Sequence, residues 1–134
     1  MPIARKLIEK LQVNEYIKFT GWINAKRIPA VINSIDVGVI PFKKLEYVEG
    51  IRPLKLFEYT YFQKPVVCTN LSEPKSLNFP NIIFSEDNVQ DLANKIVEVC
   101  STLINKKFST NFILKFSWKK IGHELIALLK NYLN

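Results

Sequence analysis

Apolar residues along the chain recur alternately at helical spacing and in short strand-like runs. The pattern predicts helices and strands in regular succession. The predicted helices cover residues 2–11, 25–34 and 53–63, and the predicted strands cover residues 15–20, 36–41, 65–69 and 81–84. Short strands alternating with helices favour a parallel sheet that has helices on both faces.

The C-terminal part of the sequence predicts further helical structure. Residues 72–77 are predicted to form one helical turn. Asp87 and Gln90 are a plausible capping pair for a helix that buries one apolar stripe, made of Leu92, Ile96, Val99 and Leu103. Ser117 is predicted to cap the last helix, whose stripe consists of Ile121, Leu125, Leu128 and Tyr132.

Glu58 is the most informative residue of helix 53–63. At helical spacing it shares a stripe of roughly 100° with Leu54, Phe57 and Tyr61, which is the face that an amphipathic helix turns inward. An unpaired carboxylate is costly to bury. The sequence therefore predicts that Glu58 either binds a polar ligand or pairs with a buried Lys or Arg as a structural bridge.

The start of the same helix is predicted to bind an anion. Pro53 suits the first helical position, and Gly50 allows the preceding loop to bend. The amides near Leu54 and Lys55 would point out of the helix, and Arg52 and Lys55 add positive charge there. Such a helix end attracts phosphate.

Four segments together resemble one enzyme family in their order and spacing. They are Tyr16-Ile-Lys-Phe-Thr-Gly-Trp22, Ser34-Ile-Asp-Val-Gly-Val-Ile-Pro41, the segment from Lys55 to Val67, and Phe116-Ser-Trp118. Over about residues 10 to 133 the chain resembles the nucleotide-sugar-binding half of group 1 glycosyltransferases of the GT-B fold.

The resemblance implies an α/β fold, a Rossmann-like parallel sheet in three layers flanked by helices. Residues 1–134 would be a single C-terminal domain, as a fragment or a half of a two-domain enzyme. The activity implied is that of a retaining glycosyltransferase whose donor substrate is a nucleoside-diphosphate sugar, with no separate cofactor. The N-terminal domain of such an enzyme, or a partner chain, would bind the acceptor, so this chain alone is expected to be inactive.

The resemblance also assigns candidate binding residues. Glu58 matches the acid that binds the ribose hydroxyls, whereas the acid that contacts the transferred sugar is replaced by Gly50, and Glu49 is one residue out of register. Gly21 and Trp22 follow a strand end where the family places its base-binding backbone, although Trp22 is equally suited to packing. The Gly50 substitution favours an alternative function, a non-catalytic nucleotide-binding module or regulatory subunit. An unrelated doubly wound domain with a phosphate ligand is a third hypothesis.

One strand of the family's domain is expected to be missing. The usual domain opens with a strand before a helix like 2–11, and that strand would be central in a 3-2-1-4-5 order. Its loss would leave strands 15–20 and 65–69 without the partner between them. Another chain could supply the strand, the two halves could close up or dimerise, or the chain could be part of a larger enzyme.

Composition adds limits on partners. The 134 residues, 48% of them hydrophobic, suit one domain with a filled core. The net charge of +7 includes no basic run longer than two residues, so nucleic acid is not an expected partner. A solvated basic surface is the simplest interpretation; since relatives act on lipid-linked acceptors, peripheral contact with the inner membrane face is the alternative.

Location and metal content are also predicted from the sequence. No apolar run is long enough for a spanning helix or a signal peptide. Cys68 and Cys100 are interpreted as core thiols in a reducing compartment, which indicates the cytoplasm. The acidic residues are scattered and form no spaced ligand set, so we expect no bound metal.

Overall fold

The computed structural model describes residues 2–102 and 107–133. These residues form an α/β fold with three strands, namely β1 (Gly38–Ile40), β2 (Val66–Thr69) and β3 (Ile82–Ser85). The helices are α1 (Pro2–Leu11), α2 (Ile28–Ser34), α3 (Leu54–Tyr61), α4 (Ser72–Ser76), α5 (Val89–Thr102) and α6 (Trp118–Leu133). Short 3₁₀ segments lie at Asn14–Tyr16, Ala25–Arg27, Glu46–Val48 and Asn111–Phe116.

The sheet is entirely parallel and has the order β1-β2-β3. In the strand register, Val67 of β2 is aligned with Val39 of β1 on one side and with Ile83 of β3 on the other. All four residues of β2 are buried. This agrees with the near-continuous apolar run that parallel strands need when both sheet faces are covered.

The two faces of the sheet are covered by different elements. Val66 and Cys68 belong to a core cluster with Leu56 of α3 and Ile113 of the last 3₁₀ segment. Because side chains alternate along a strand, Val67 points to the other face, where α5 packs against β2 and β3. The predicted three-layer arrangement is therefore confirmed.

The predicted strand at residues 15–20 is wrong. A 3₁₀ turn occupies Asn14–Tyr16, and residues 17–20 have no regular structure. A strand needs a hydrogen-bonded neighbour, and this segment pairs with no strand of the described residues. Segment 65–69 does not lack a partner, because β1 pairs directly with β2, so the alternative in which the two halves close up is the one observed. The outer edges of β1 and β3 have no neighbouring strand among the described residues.

Helix α3 is shorter than the predicted 53–63. Pro53 has an extended ψ of 123° and is the N-cap rather than the first helical residue. At the other end, Lys64 N donates to Tyr59 O and Gln63 N donates to Thr60 O. With Gln63 in the left-handed region at φ 56°, this is a Schellman ending, and it directs the chain into β2.

The caps of the last two long helices differ from the prediction in one case. Asn88, not Asp87, caps α5, since Asn88 Oδ1 accepts from Asp91 N at 2.8 Å. Asp87 instead accepts from Lys44 N at 2.9 Å. Leu103, predicted to lie on the α5 stripe, is outside the described residues. Ser117 caps α6 as predicted, with Lys120 N donating to its Oγ at 3.3 Å.

Candidate functional site

A groove of about 450 Å³ opens between α3 and the start of α6. Its lining is mostly aliphatic and aromatic, and the polar side chains are those of Arg52, Glu58 and Ser117. The rings of Phe57 and Phe116 pack edge to face at the groove, with centroids 5.0 Å apart. This contact joins α3 to the 3₁₀ segment that precedes α6.

The predicted apolar stripe of α3 lines the groove, and Phe57 also packs against the core cluster. Leu54, Phe57, Glu58 and Tyr61 all line the groove, and Leu54 is 75% exposed. The residues of α3 that are fully buried are Leu56 and Thr60. Leu56 lies outside the predicted stripe. Burial of Thr60 is tolerated because its hydroxyl has hydrogen-bond partners, with Leu56 O at 2.7 Å and Asn81 Oδ1 at 3.1 Å.

Glu58 is exposed, which corrects the expectation that its carboxylate is buried. No described residue donates a hydrogen bond to the carboxylate or forms an ion pair with it, so the structural-bridge alternative finds no support. Because the carboxylate is exposed to solvent, Glu58 does not require a partner within the protein. Glu58 still lines the groove. The pKa of the neighbouring Tyr59 phenol is raised, mainly because Tyr59 is partly buried and secondly because the negative charge of Glu58 is close to it.

The start of α3 lies beside Glu58. Leu56 N donates to Pro53 O at 3.0 Å, while the amides of Leu54 and Lys55 have no acceptor among the described residues. These two amides are available to an anion. Arg52 lines the groove but forms an ion pair with Glu73, so part of its charge is already compensated. Lys55 is exposed and does not line the groove.

Glu49 has a role that the sequence did not indicate. Its Oε2 accepts from both Ser72 N and Ser72 Oγ at 2.8 Å, and Glu73 N donates to Glu49 O at 3.1 Å. Hydrogen bonding by Ser72, reinforced by Lys44, lowers the pKa of Glu49. Glu49 thus ties the loop before α3 to the start of α4. The feature of the sequence that could have indicated this contact is Ser72, at the first position of the predicted helical turn 72–77.

The other predicted site residues lie away from the groove lining. Gly50 is exposed, and a Cβ added to it would meet nothing within 4 Å. The loop does not require glycine there, contrary to the prediction. Gly21 has a φ of +64°, and Trp22 is 85% exposed, so the packing interpretation of Trp22 is wrong. Of the seven predicted residues, the structure brings Arg52, Leu54 and Glu58 together on one groove.

A second pocket, of about 340 Å³, lies at the carboxyl ends of the three strands and was not predicted. Thr69 Oγ1 donates to Phe42 O at 2.8 Å at its edge. Ser85 also lines it and is 1% exposed, and its Oγ has no hydrogen-bond partner among the described residues. The signal in the sequence was a hydroxyl residue at the end of two of the apolar strands, Thr69 at the end of β2 and Ser85 at the end of β3.

The described residues contain neither a metal-binding cluster nor a membrane-spanning helix. No three His, Cys, Asp or Glu side chains there cluster closely enough to hold a metal ion. No helix in residues 2–102 or 107–133 combines the length and the apolar character needed to cross a bilayer. The expectation of no bound metal stays a prediction.

The chain belongs to the group 1 glycosyl transferases, because residues 2–102 match the model of that family. This excludes the hypothesis of an unrelated doubly wound domain. The chain is also 38% identical over 64 residues to a protein of Bacillus subtilis (strain 168) named provisionally as the teichuronic acid biosynthesis glycosyltransferase TuaH. The match covers 48% of this chain and 16% of that relative's length. No solved structure matches the chain significantly.

Proposed function

We propose that this chain is the donor-binding half of a retaining glycosyltransferase, which transfers a sugar from a nucleoside-diphosphate sugar to an acceptor. The observation that supports this most is the juxtaposition of Glu58 and Arg52 on one groove at the start of α3. The Glu58 carboxylate would accept from the ribose hydroxyls. The free amides of Leu54 and Lys55, with the Arg52 guanidinium, would stabilise the diphosphate as it departs.

The proposal includes a second component. The outer edges of β1 and β3 have no neighbouring strand among the described residues, which fits a chain that completes its fold and acceptor site with another domain or subunit. Cytoplasmic location, at the inner membrane face, fits two free cysteines and a basic surface. We expect the 134-residue protein alone to turn over no nucleotide sugar. Turnover by the purified chain would contradict the proposal that a second domain or subunit binds the acceptor.

Glu58→Ala tests the ribose role. We expect a ten- to hundredfold loss of affinity for uridine or guanosine diphosphate, since a charge-assisted hydrogen bond contributes about 1.5–3 kcal/mol. Affinity for inorganic pyrophosphate should hardly change, because the amides of α3 hold the phosphates. Stability should change by less than about 0.5 kcal/mol, since Glu58 is exposed and unpaired.

Glu9→Ala is the matched control, because Glu9 is an exposed carboxylate of α1 that does not line the groove. Calorimetric titration of both variants with both ligands decides the matter. Equal losses for nucleoside diphosphate and pyrophosphate, or no loss for either, would remove Glu58 from the ribose site.

A non-catalytic nucleotide-binding module remains the second candidate function. It is favoured by two observations at the position of the sugar contact. Gly50 has no side chain to offer, and the neighbouring Glu49 already accepts two hydrogen bonds from Ser72. Nucleoside diphosphate binding without transfer, measured after the acceptor-binding component has been added, would favour this candidate over the enzyme.

A further inference from the structure

The carboxylate of Glu73 holds the Arg52 side chain against α4. Both Nε and Nη2 of Arg52 contact the same oxygen, Glu73 Oε1. These two nitrogens form one edge of the planar guanidinium group, so the Nη1 amino group lies on the side away from the carboxylate. Nη1 donates to no described residue, and the Arg52 side chain is 52% exposed. The free edge of the guanidinium is therefore open to a further anion.

Glu73 is itself held in place by its neighbours. Leu71, just before α4, and Pro74, within α4, are both fully buried. Between them, Glu73 N donates to Glu49 O at 3.1 Å. The backbone on both sides of Glu73 is thus fixed, so its carboxylate offers Arg52 a partner in a constant position.

Stability alone does not account for this pair, because exposed ion pairs contribute little to folding. Arg52 lines the groove, two positions before the free amide of Leu54. A long side chain that binds an anion loses rotamer freedom, and one that is already ordered has less to lose. The pair therefore prepares Arg52 for a ligand at the start of α3.

We propose that Glu73 is a positioning residue, which orients Arg52 so that its free edge is available to the diphosphate of the donor. This inference rests on the proposed function. The negative charge of Glu73 acts in the opposite direction, since it repels a diphosphate. Solvent and salt screen that repulsion at an exposed site, so orientation is the larger effect near physiological ionic strength.

The two effects predict opposite results for Glu73→Ala, measured by calorimetric titration with inorganic pyrophosphate at constant ionic strength. Loss of orientation lowers the affinity, by about threefold to tenfold for one long side chain that must now be ordered on binding. Loss of the charge alone would raise the affinity. We expect the decrease.

Glu98→Ala is the matched control, because Glu98 is a partly exposed glutamate that pairs with Lys95 and does not line the groove. Its pyrophosphate affinity should differ from that of the unchanged chain by less than about twofold. Circular dichroism checks that both variants keep their helices.

Glu73→Gln separates positioning from a merely structural role. The glutamine keeps an oxygen that accepts from Arg52 and removes the charge, so this variant should bind pyrophosphate at least as tightly as the unchanged chain. Uridine and guanosine have no phosphate and should bind Glu73→Ala and the unchanged chain equally. A general loosening of the loop would lower the affinity for every ligand.

Arg52→Gln shows whether Glu73 acts through Arg52. This variant alone should lose about tenfold or more in pyrophosphate affinity, because a charge-assisted hydrogen bond is removed. Adding Glu73→Ala to Arg52→Gln should cause no further loss, since no guanidinium remains to be oriented.

Three results would overturn the positioning role. One is a pyrophosphate affinity of Glu73→Ala that equals or exceeds that of the unchanged chain. Another is an equal loss from Glu73→Ala with and without Arg52, and the third is failure of the unchanged chain to bind pyrophosphate. The proposed function is judged by a different result, the loss of nucleoside diphosphate affinity in Glu58→Ala, so the two failures can be told apart.

Discussion

Residues 38–99, here the packed block, and residues 2–37, the N-terminal segment, have similar apolar spacing but very different burial. The packed block contains β1, β2, β3 and most of the buried side chains, among them Leu56 at 0% exposure. Among residues 3–37 Ile32 alone is buried, and Leu7 on the stripe of α1 is 53% exposed. Periodicity selects a helix face, but burial requires a second layer for that face to pack against.

The largest expected difference between the two regions is in the free energy of unfolding lost by Leu56→Ala and by Leu7→Ala. Removing the fully buried Leu56 side chain should lower the free energy of unfolding by about 2–5 kcal/mol. Leu7→Ala should change it by less than about 0.5 kcal/mol, since the side chain is already half exposed. Urea denaturation measures both. A similar cost for the two variants would mean that α1 is packed in solution.

A pair of glycines sharpens the same comparison inside the packed block. A Cβ on Gly38 of β1 would lie 2.5 Å from Tyr59 Cδ2, so Gly38→Ala forces the Tyr59 ring of α3 to shift and should cost about 1–3 kcal/mol. Gly50→Ala meets open space and should alter stability by less than about 0.5 kcal/mol. Equal unfolding midpoints for the two variants would contradict the close contact between β1 and α3.

Glu49→Gln tests whether the loop before α3 is a fixed part of the packed block. Hydrogen bonds from Ser72 hold the pKa of Glu49 below its ordinary value of 4.5. Its contribution to stability should therefore be complete above pH 4.5 and be lost as the pH falls through the lowered pKa. Near neutral pH we expect the free energy of unfolding of the variant to be lower than that of the unchanged chain, by less than the loss caused by Gly38→Ala. On acidification the variant should lose less stability than the unchanged chain. If the curves of stability against pH run parallel for the variant and the unchanged chain, Glu49 does not stabilise the loop in this way.

The two cysteines compare buried and exposed thiols without altering stability. Cys68 of β2 is buried, and burial raises its pKa to about 11. Cys100 of α5 is exposed, which corrects the prediction that both thiols lie in the core. At pH 8 a disulfide reagent should modify one thiol per chain rapidly and the second only after unfolding. Rapid reaction of both would show that the sheet opens readily; Cys100→Ser identifies which thiol reacts first.

The sequence was sufficient for those features that depend on local patterns. Apolar runs without charges identified β2 and β3, and the Ser117 cap placed the start of α6. The family was also accessible, because its motifs are contiguous segments whose spacing is visible in the chain. Such features need no knowledge of what lies beside each element.

The tertiary structure decided which face of each element is covered. The stripe of α3 that contains Glu58 faces a groove because Leu56 and Thr60 form the contact with the sheet. Residues 15–20 form no strand because backbone donors and acceptors need a neighbour, whatever their own propensity. Glu49 and Ser72 meet across 23 positions of sequence, a contact that no local pattern encodes. Propensity and periodicity act within one element, whereas burial, pairing and the position of a charge depend on distant residues that the folded chain brings together.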